Sequence, residues 1–230
     1  MEVFFPGPAG RLQGLYHAPR GLAEGEPPRA VAPVCHPHPR PDLLDPNTSH
    51  PGGNMHSTVT FKTARALQNA GVACLRFNFR GVQQSEGQHD GRGAEEGDVE
   101  AAIGWLLERH PGVPIWAAGF SFGSRTVFGL ARRDPRIERL VLVGFPVRAY
   151  SLEGVDRLTQ PTLMVWGGED EFGTDVDLRQ QYPSLPAHIE TMRIEGADHF
   201  FKGGATLALE TAVHDWARGA LGLPPEELTR

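Results

Sequence analysis

The sequence predicts an α/β fold: a mostly parallel sheet with helices on both faces, in a single domain spanning 1–230. Three observations carry this. Apolar runs of strand length alternate with stretches of helical periodicity along most of the chain. The central runs, such as 30–35 and 140–144, are apolar throughout rather than alternating, as strands covered on both faces must be. The pentapeptide Gly119-Phe120-Ser121-Phe122-Gly123 lies between one such run and a helix. No linker, repeat or low-complexity tract divides the 230 residues.

The elements follow in order. Val3-Phe4-Phe5 and the run 12–17 predict a hairpin around Pro6-Gly7-Pro8-Ala9-Gly10. Residues 20–29, rich in Gly, Pro and Glu, read as a surface loop. The run 30–35 is the first central strand, weakened by Pro33, which has no N–H to give a ladder. Ser57 or Thr58 can cap a helix running to Asn69, with Val59, Lys62, Thr63, Ala66 and Leu67 in register and Gly71 ending it. A second buried strand covers 72–77, and a helix over 98–108 carries Val99, Ala102, Ile103, Leu106 and Leu107 on one face. The run 113–118 is the strand before Ser121; Val127, Leu130 and Ala131 then recur at helical spacing until Pro135. Three further strands are expected over 140–144, 161–167 and 189–194, then a helix over 205–221. The connection between 144 and 162 is too short for a separate cap domain. The Pro224-Pro225-Glu226-Glu227 tail is expected to be mobile.

Composition excludes several classes. With 40% hydrophobic and 22% charged residues, the chain reads as an ordinary soluble globular protein. A net charge of −6 gives no electrostatic footprint for nucleic acid or an anionic membrane. Met1-Glu2-Val3-Phe4-Phe5-Pro6 lacks the basic region and long apolar core of a signal peptide, and no apolar run has membrane-spanning length, so a cytoplasmic location is expected. Cys35 and Cys74 fall in strands and read as buried free thiols.

The chemistry centres on Ser121. Flanking glycines allow a sharp strand-to-helix turn that leaves the hydroxyl above the sheet, at the positive end of a helix. A serine is a weak nucleophile and needs a base, oriented in turn by a carboxylate. Asp170 lies just past the strand 161–167, and His199 follows the last strand. The loops at the C-terminal ends of parallel strands share one edge, where Ser121, Asp170 and His199 would converge. Glu169, Glu171 and Asp175 compete with Asp170, and Asp198 is a rival local partner for His199. The expected oxyanion donors are the N–H groups of Phe122 and His38; Pro37 and Pro39, on either side of His38, have none. His36, Arg80 and Phe120 are candidate pocket residues. Arg80 reads either as a holder of a substrate carboxylate or, preferably, as a structural partner of Glu96 or Asp98. His36, His38, His50 and His56 crowd one Pro- and Gly-rich segment, but their spacing matches no ligand pattern, and no metal or other cofactor is expected.

With these residues in view, the chain resembles the α/β-hydrolase superfamily over nearly its whole length. It looks most like the small lidless bacterial hydrolases related to dienelactone hydrolases and acyl-peptidase-like domains. The resemblance rests on His36-Pro37-His38-Pro39, Gly52-Gly53-Asn54-Met55, Leu75 to Gly81, the Ser121 pentapeptide, Gly167 to Asp170 and Ala197-Asp198-His199. It implies an eight-stranded sheet with an antiparallel start and hydrolysis through an acyl-serine. Dienelactone hydrolases carry cysteine where this chain has Ser121, which argues against lactone chemistry. Residues 40–51 read as an insertion able to cover the site. The resulting expectation is a serine hydrolase of small carboxylic esters or thioesters. A peptidase or acyltransferase with the same triad, a binding protein on this fold and a metal-dependent hydrolase are the alternatives.

Overall fold

The computed structural model describes residues 1–20, 22, 25–40, 42 and 52–224. Eight strands form one sheet in the order β1-β2-β4-β3-β5-β6-β7-β8. β1 (Glu2–Gly7) and β2 (Gly10–His17) make the antiparallel hairpin, and β2 runs antiparallel to β4 (Val72–Phe77). From β4 onward every pairing is parallel: β3 (Ala30–Cys35), β5 (Ile115–Phe120), β6 (Ile137–Val143), β7 (Thr162–Gly167) and β8 (Ile189–Ile194).

The uniform apolarity of the central runs has the expected consequence. All six residues of β3, β4, β5 and β7 are buried, so both faces need a helical cover. α1 (Thr58–Asn69) and α5 (Ala205–Ala220) cover one face through Val59, Leu67, Leu209 and Val213, packed on Val34, Ala118 and Val165. α2 (Glu96–Arg109), α3 (Phe122–Ala131) and α4 (Asp175–Gln181) cover the other through Val99, Ile103, Val127, Leu130 and Leu178. Each such aliphatic side chain contributes about 1.5–3 kcal/mol by leaving water. Among the described residues, 144–161 hold only a turn of 3₁₀ helix, Val155–Arg157, and no cap domain.

Several boundaries moved. The strand expected over 113–118 starts at Ile115 and continues through Gly119 and Phe120, so the turn falls on Ser121 alone. The last central strand before β7 begins at Ile137, three residues earlier than its apolar core suggests. α4 carries a polar sequence of only seven residues and had no apolar period to announce it. Thr174 caps it, accepting from the Val176 N–H, while Asp177 accepts from the Thr174 N–H. Ser57 occupies the N-cap of α1, yet its hydroxyl accepts from the Asn54 N–H instead of the helix. Pro33 is tolerated in a central strand because the β3–β5 pairing skips Ala32 and Pro33, so no ladder donor is missed there.

Cys35 and Cys74 are buried free thiols, and burial pushes the Cys74 thiol up to about 12. No described helix is long and apolar enough to cross a membrane. The proposed insertion lies outside the described residues apart from Arg40 and Asp42, and the tail lies outside them beyond Pro224.

Candidate active site

The sheet order reverses direction between β3 and β5, which opens a crevice at their C-terminal ends. Ser121 follows β5 and His38 follows β3, so they flank that crevice.

The turn at Ser121 is tight. A Cβ on Gly119 would sit 2.3 Å from the Gly123 carbonyl carbon, and one on Gly123 would sit 2.5 Å from the Cys35 oxygen. Any side chain at either position would push α3 off the sheet. Ser121 itself has φ 54° and ψ −119°, a conformation that costs an L residue on the order of 1–3 kcal/mol. Its backbone is held from both sides. The Ser121 N–H donates to Val143 O at 2.9 Å, while Ser121 O accepts from the Arg125 N–H at 3.1 Å and the Ser124 hydroxyl at 2.6 Å.

His199 Nε2 lies 3.0 Å from Ser121 Oγ, and His199 Nδ1 lies 2.8 Å from Asp170 Oδ2. The other Asp170 oxygen accepts from the Phe172 N–H at 2.9 Å, which fixes the carboxylate. Asp170 is an acceptor only, so Nδ1 carries the imidazole proton and Nε2 is left to receive one from Ser121. The His199 ring is 2% exposed and is wedged among Phe120, Phe172 and Phe200. The competing acids are engaged elsewhere or turned out. Glu169 and Glu171 are exposed, and Asp175 pairs with Arg193. Asp198 accepts from the Phe200 and Lys202 N–H groups and pairs with the Lys202 ammonium.

Phe122 is the first residue of α3, where an N–H has no intrahelical acceptor. Among the described residues nothing accepts the His38 N–H either, while His38 O takes the Gly53 N–H at 2.9 Å and holds the loop. The two amides thus belong to the loop after β3 and the start of α3, on either side of the crevice.

A second histidine array, which the sequence reading missed, stands behind the first wall. His38 Nδ1 accepts from the Arg40 N–H at 3.0 Å, so its Nε2 bears the proton. That Nε2 lies 3.5 Å from His89 Nε2, and His89 Nδ1 lies 2.6 Å from Glu95 Oε1. The same Glu95 oxygen accepts the Asp90 and Gly91 N–H groups. The donors therefore run from Arg40 through His38 to His89, and His89 Nδ1 meets Glu95 as an ion-pair contact without hydrogen-bond alignment. Burial alone raises the Glu95 carboxyl, but the bonds from His89 and nearby backbone outweigh it and lower it to about 2. Burial and the neighbouring His89 lower His38 to about 4. Both rings rest on Phe122, at 5.0 and 5.3 Å between centroids. His89 lies in a stretch legible only as a loop, 32 residues before Ser121 and 110 before His199, so no spacing links it to either.

The three candidate pocket residues are placed otherwise. His36 is fully buried: Nε2 accepts the Phe79 N–H and Nδ1 donates to Pro37 O, pinning β3 to the loop after β4. Arg80 makes a forked ion pair with Asp98, whose side chain is fully buried, and donates to Ala94 O. Its alternative as a carboxylate holder for substrate is thereby taken up by the protein itself. Phe120 is 1% exposed and forms the floor beneath His199, not a surface of the crevice. Of the four clustered histidines, His36 and His38 are buried, His56 is exposed and His50 lies outside the described residues; no three potential ligands converge among the described residues.

Comparison with known proteins agrees with this architecture. Residues 49–215 match the family model of an alpha/beta hydrolase domain. An uncharacterised protein of Rickettsia prowazekii is 32% identical over 225 residues, covering 94% of this chain and 87% of that protein. A lidless α/β serine hydrolase of Xanthomonas campestris is 27% identical with a TM-score of 0.83, covering 98% of this chain and 96% of that one. An alpha-beta serine hydrolase homologue of Coxiella burnetii is 29% identical with a TM-score of 0.80, covering 93% and 95%. By sheet order, by the turn at Ser121 and by these matches, the chain belongs to the α/β-hydrolase family.

Proposed function

We propose that the protein is a serine hydrolase acting on small carboxylic esters or thioesters. The observation that carries this is the unbroken line from Ser121 Oγ through His199 to Asp170, at 3.0 and 2.8 Å. The hydroxyl attacks the carbonyl carbon as its proton passes to His199 Nε2. Asp170 keeps Nδ1 protonated and stabilises the imidazolium that forms. The negative oxygen settles between the Phe122 and His38 N–H groups, at the positive end of α3. Collapse of this intermediate expels the alcohol or thiol, which takes the proton from His199. Water, deprotonated in turn by His199, then releases the acid and restores Ser121. Every proton in this cycle moves through His199, and no cofactor enters it. The buried, unbridged Cys35 and Cys74 support a reducing, cytoplasmic setting.

The test is hydrolysis of p-nitrophenyl esters from acetate to decanoate by the wild type and Ser121→Ala, alongside labelling by a fluorophosphonate. Activity and labelling that both vanish in the variant support the reading, and the chain-length optimum sizes the acyl site. Labelling without ester turnover moves the assignment to peptides or acyl transfer. Equal activity in both proteins removes Ser121 from the mechanism.

A further inference from the structure

Arg125 stands one turn after Ser121 on α3, and no acid among the described residues pairs with it. Arg65 pairs with Glu210, Arg80 with Asp98, Arg136 with Asp134, Arg148 with Asp177 and Arg193 with Asp175. Among the described residues no carboxylate comes within ion-pair distance of Arg125. Its Nη1 is sealed from solvent and has no hydrogen-bond partner. A buried guanidinium donor without an acceptor is costly, so something must recover that cost.

The surroundings say where. Long side chains on a helix lean toward its N-terminus, so Arg125 reaches back over the turn that starts at Ser121. Its guanidinium lies 5.6 Å from the Tyr150 ring, in the loop after β6. On the other side, a Cβ on Gly93 would be 4.0 Å from Arg125 Nη2, and one on Gly91 would be 3.3 Å from His38 Nε2. The short segment 91–93 thus borders both the guanidinium and the wall of the expected oxyanion site. The Tyr150 hydroxyl, a second donor here, has no hydrogen-bond partner among the described residues. Glu95, the acid buried at this rim, gives one oxygen to His89 and to the Asp90 and Gly91 amides.

We propose that Arg125, with the Tyr150 hydroxyl beside it, receives a carboxylate carried by the substrate, making this enzyme selective for half-esters of dicarboxylic acids. The inference rests on Ser121 being the nucleophile. A planar guanidinium offers paired donors that match a carboxylate. A single cation in a chain of net charge −6 suits a monoanion better than a phosphate dianion.

The test compares mono-p-nitrophenyl glutarate with its methyl ester, which share leaving group and chain length and differ by one charge. The wild type, Arg125→Gln, Arg125→Lys and Tyr150→Phe are assayed, and the reading is the ratio of kcat/KM for the acid to that for the methyl ester. The ratio is expected to fall about 10- to 100-fold in Arg125→Gln, less in Arg125→Lys and least in Tyr150→Phe. An Arg125 that served only to hold Tyr150 or Glu95 would slow both esters alike and leave the ratio unchanged, which overturns the proposal. Fluorophosphonate labelling of each variant reports an intact site. Labelled protein with an unchanged ratio removes Arg125 alone; unlabelled wild type removes the nucleophile and this inference together.

Discussion

Two arrays of the same outward form flank Phe122. In one, Asp170 holds His199, whose far nitrogen faces the Ser121 hydroxyl. In the other, Glu95 holds His89, whose far nitrogen faces His38. Both have a buried carboxylate beside Nδ1 and an imidazole largely shut from solvent, but only the Asp170–His199 contact is an aligned hydrogen bond. They differ in what the second nitrogen meets. In the proposed mechanism Ser121 offers a proton that departs when its oxygen attacks; His38 offers one that has nowhere to go, because its other nitrogen is occupied by the Arg40 amide. A carboxylate–imidazole pair is therefore not in itself a catalytic base. In the proposed mechanism the first array moves a proton, while the second holds the loop that carries the His38 amide.

The sharpest break of that comparison is at the first array. Ser121→Ala or His199→Ala is expected to lower kcat about a millionfold, with the double variant no worse than either, because the groups act as one unit. Asp170→Asn is expected to cost about ten-thousandfold, since an amide in that place favours the wrong tautomer and leaves Nε2 without its lone pair. Steady-state rates on p-nitrophenyl acetate, with near-ultraviolet circular dichroism to check folding, decide this. A mild Asp170→Asn would put another acid in its place.

The second array gives a smaller effect with a different pattern. Glu95→Ala frees His89 and slackens the segment 90–95, so His38 loses its support. An oxyanion donor removed outright costs about 100- to 1,000-fold, and one displaced by its loop is expected to cost about tenfold in kcat with little change in KM. Glu95→Gln keeps an oxygen for the same N–H groups and is expected to stay within about threefold of the wild type. The contrast between a severe Asp170→Asn and a mild Glu95→Gln is the sign that one carboxylate supports proton transfer and the other only geometry. Equal losses in the two would make the second array part of the chemistry.

How much of this was legible in the sequence follows from what each residue depends on. The sheet could be read because strands covered on both faces are mostly apolar, and β4 and β7 carry one polar side chain each, Arg76 and Thr162. Ser121, Asp170 and His199 could be read because each stands at the end of such a strand, so counting strands also locates the edge. Arg80 was read correctly as a structural partner, since a loop arginine beside a helix start rich in acids finds one of them. His89, Glu95 and Arg125 were not legible. Their roles arise from three segments that meet only in the fold, and none lies at a strand end or in a periodic run. His36 was misjudged for the same reason: a motif shows that a histidine is present, not which way its ring turns. α4 was missed because its seven residues, five of them polar, rely on a capping box and one buried leucine for their shape.

A further effect is on stability, and it sets His36 and His38 apart from His199. His36 is fully buried, and burial lowers its pKa from 6.5 to about 3, with His89 and His38 adding to the fall and the Pro37 bond opposing it. The folded protein thus refuses a proton that the unfolded chain accepts below about 6.5. Its contribution is complete above that pH and is lost as pH falls toward about 3, where the folded form at last binds the proton too. At about 1.4 kcal/mol per pH unit, the full loss is on the order of 5 kcal/mol. His38 adds to the slope in the same direction between 6.5 and about 4. Urea midpoints measured from pH 8 to pH 4 should fall steadily in the wild type and more gently in His36→Gln, which keeps an acceptor for the Phe79 N–H without a group to titrate. Ser121→Ala should follow the wild-type curve, because its stability rests on the same buried histidines. If His36→Gln also follows it, acid sensitivity comes from elsewhere, and the ring of His36 is held by its hydrogen bonds without any cost of keeping it neutral.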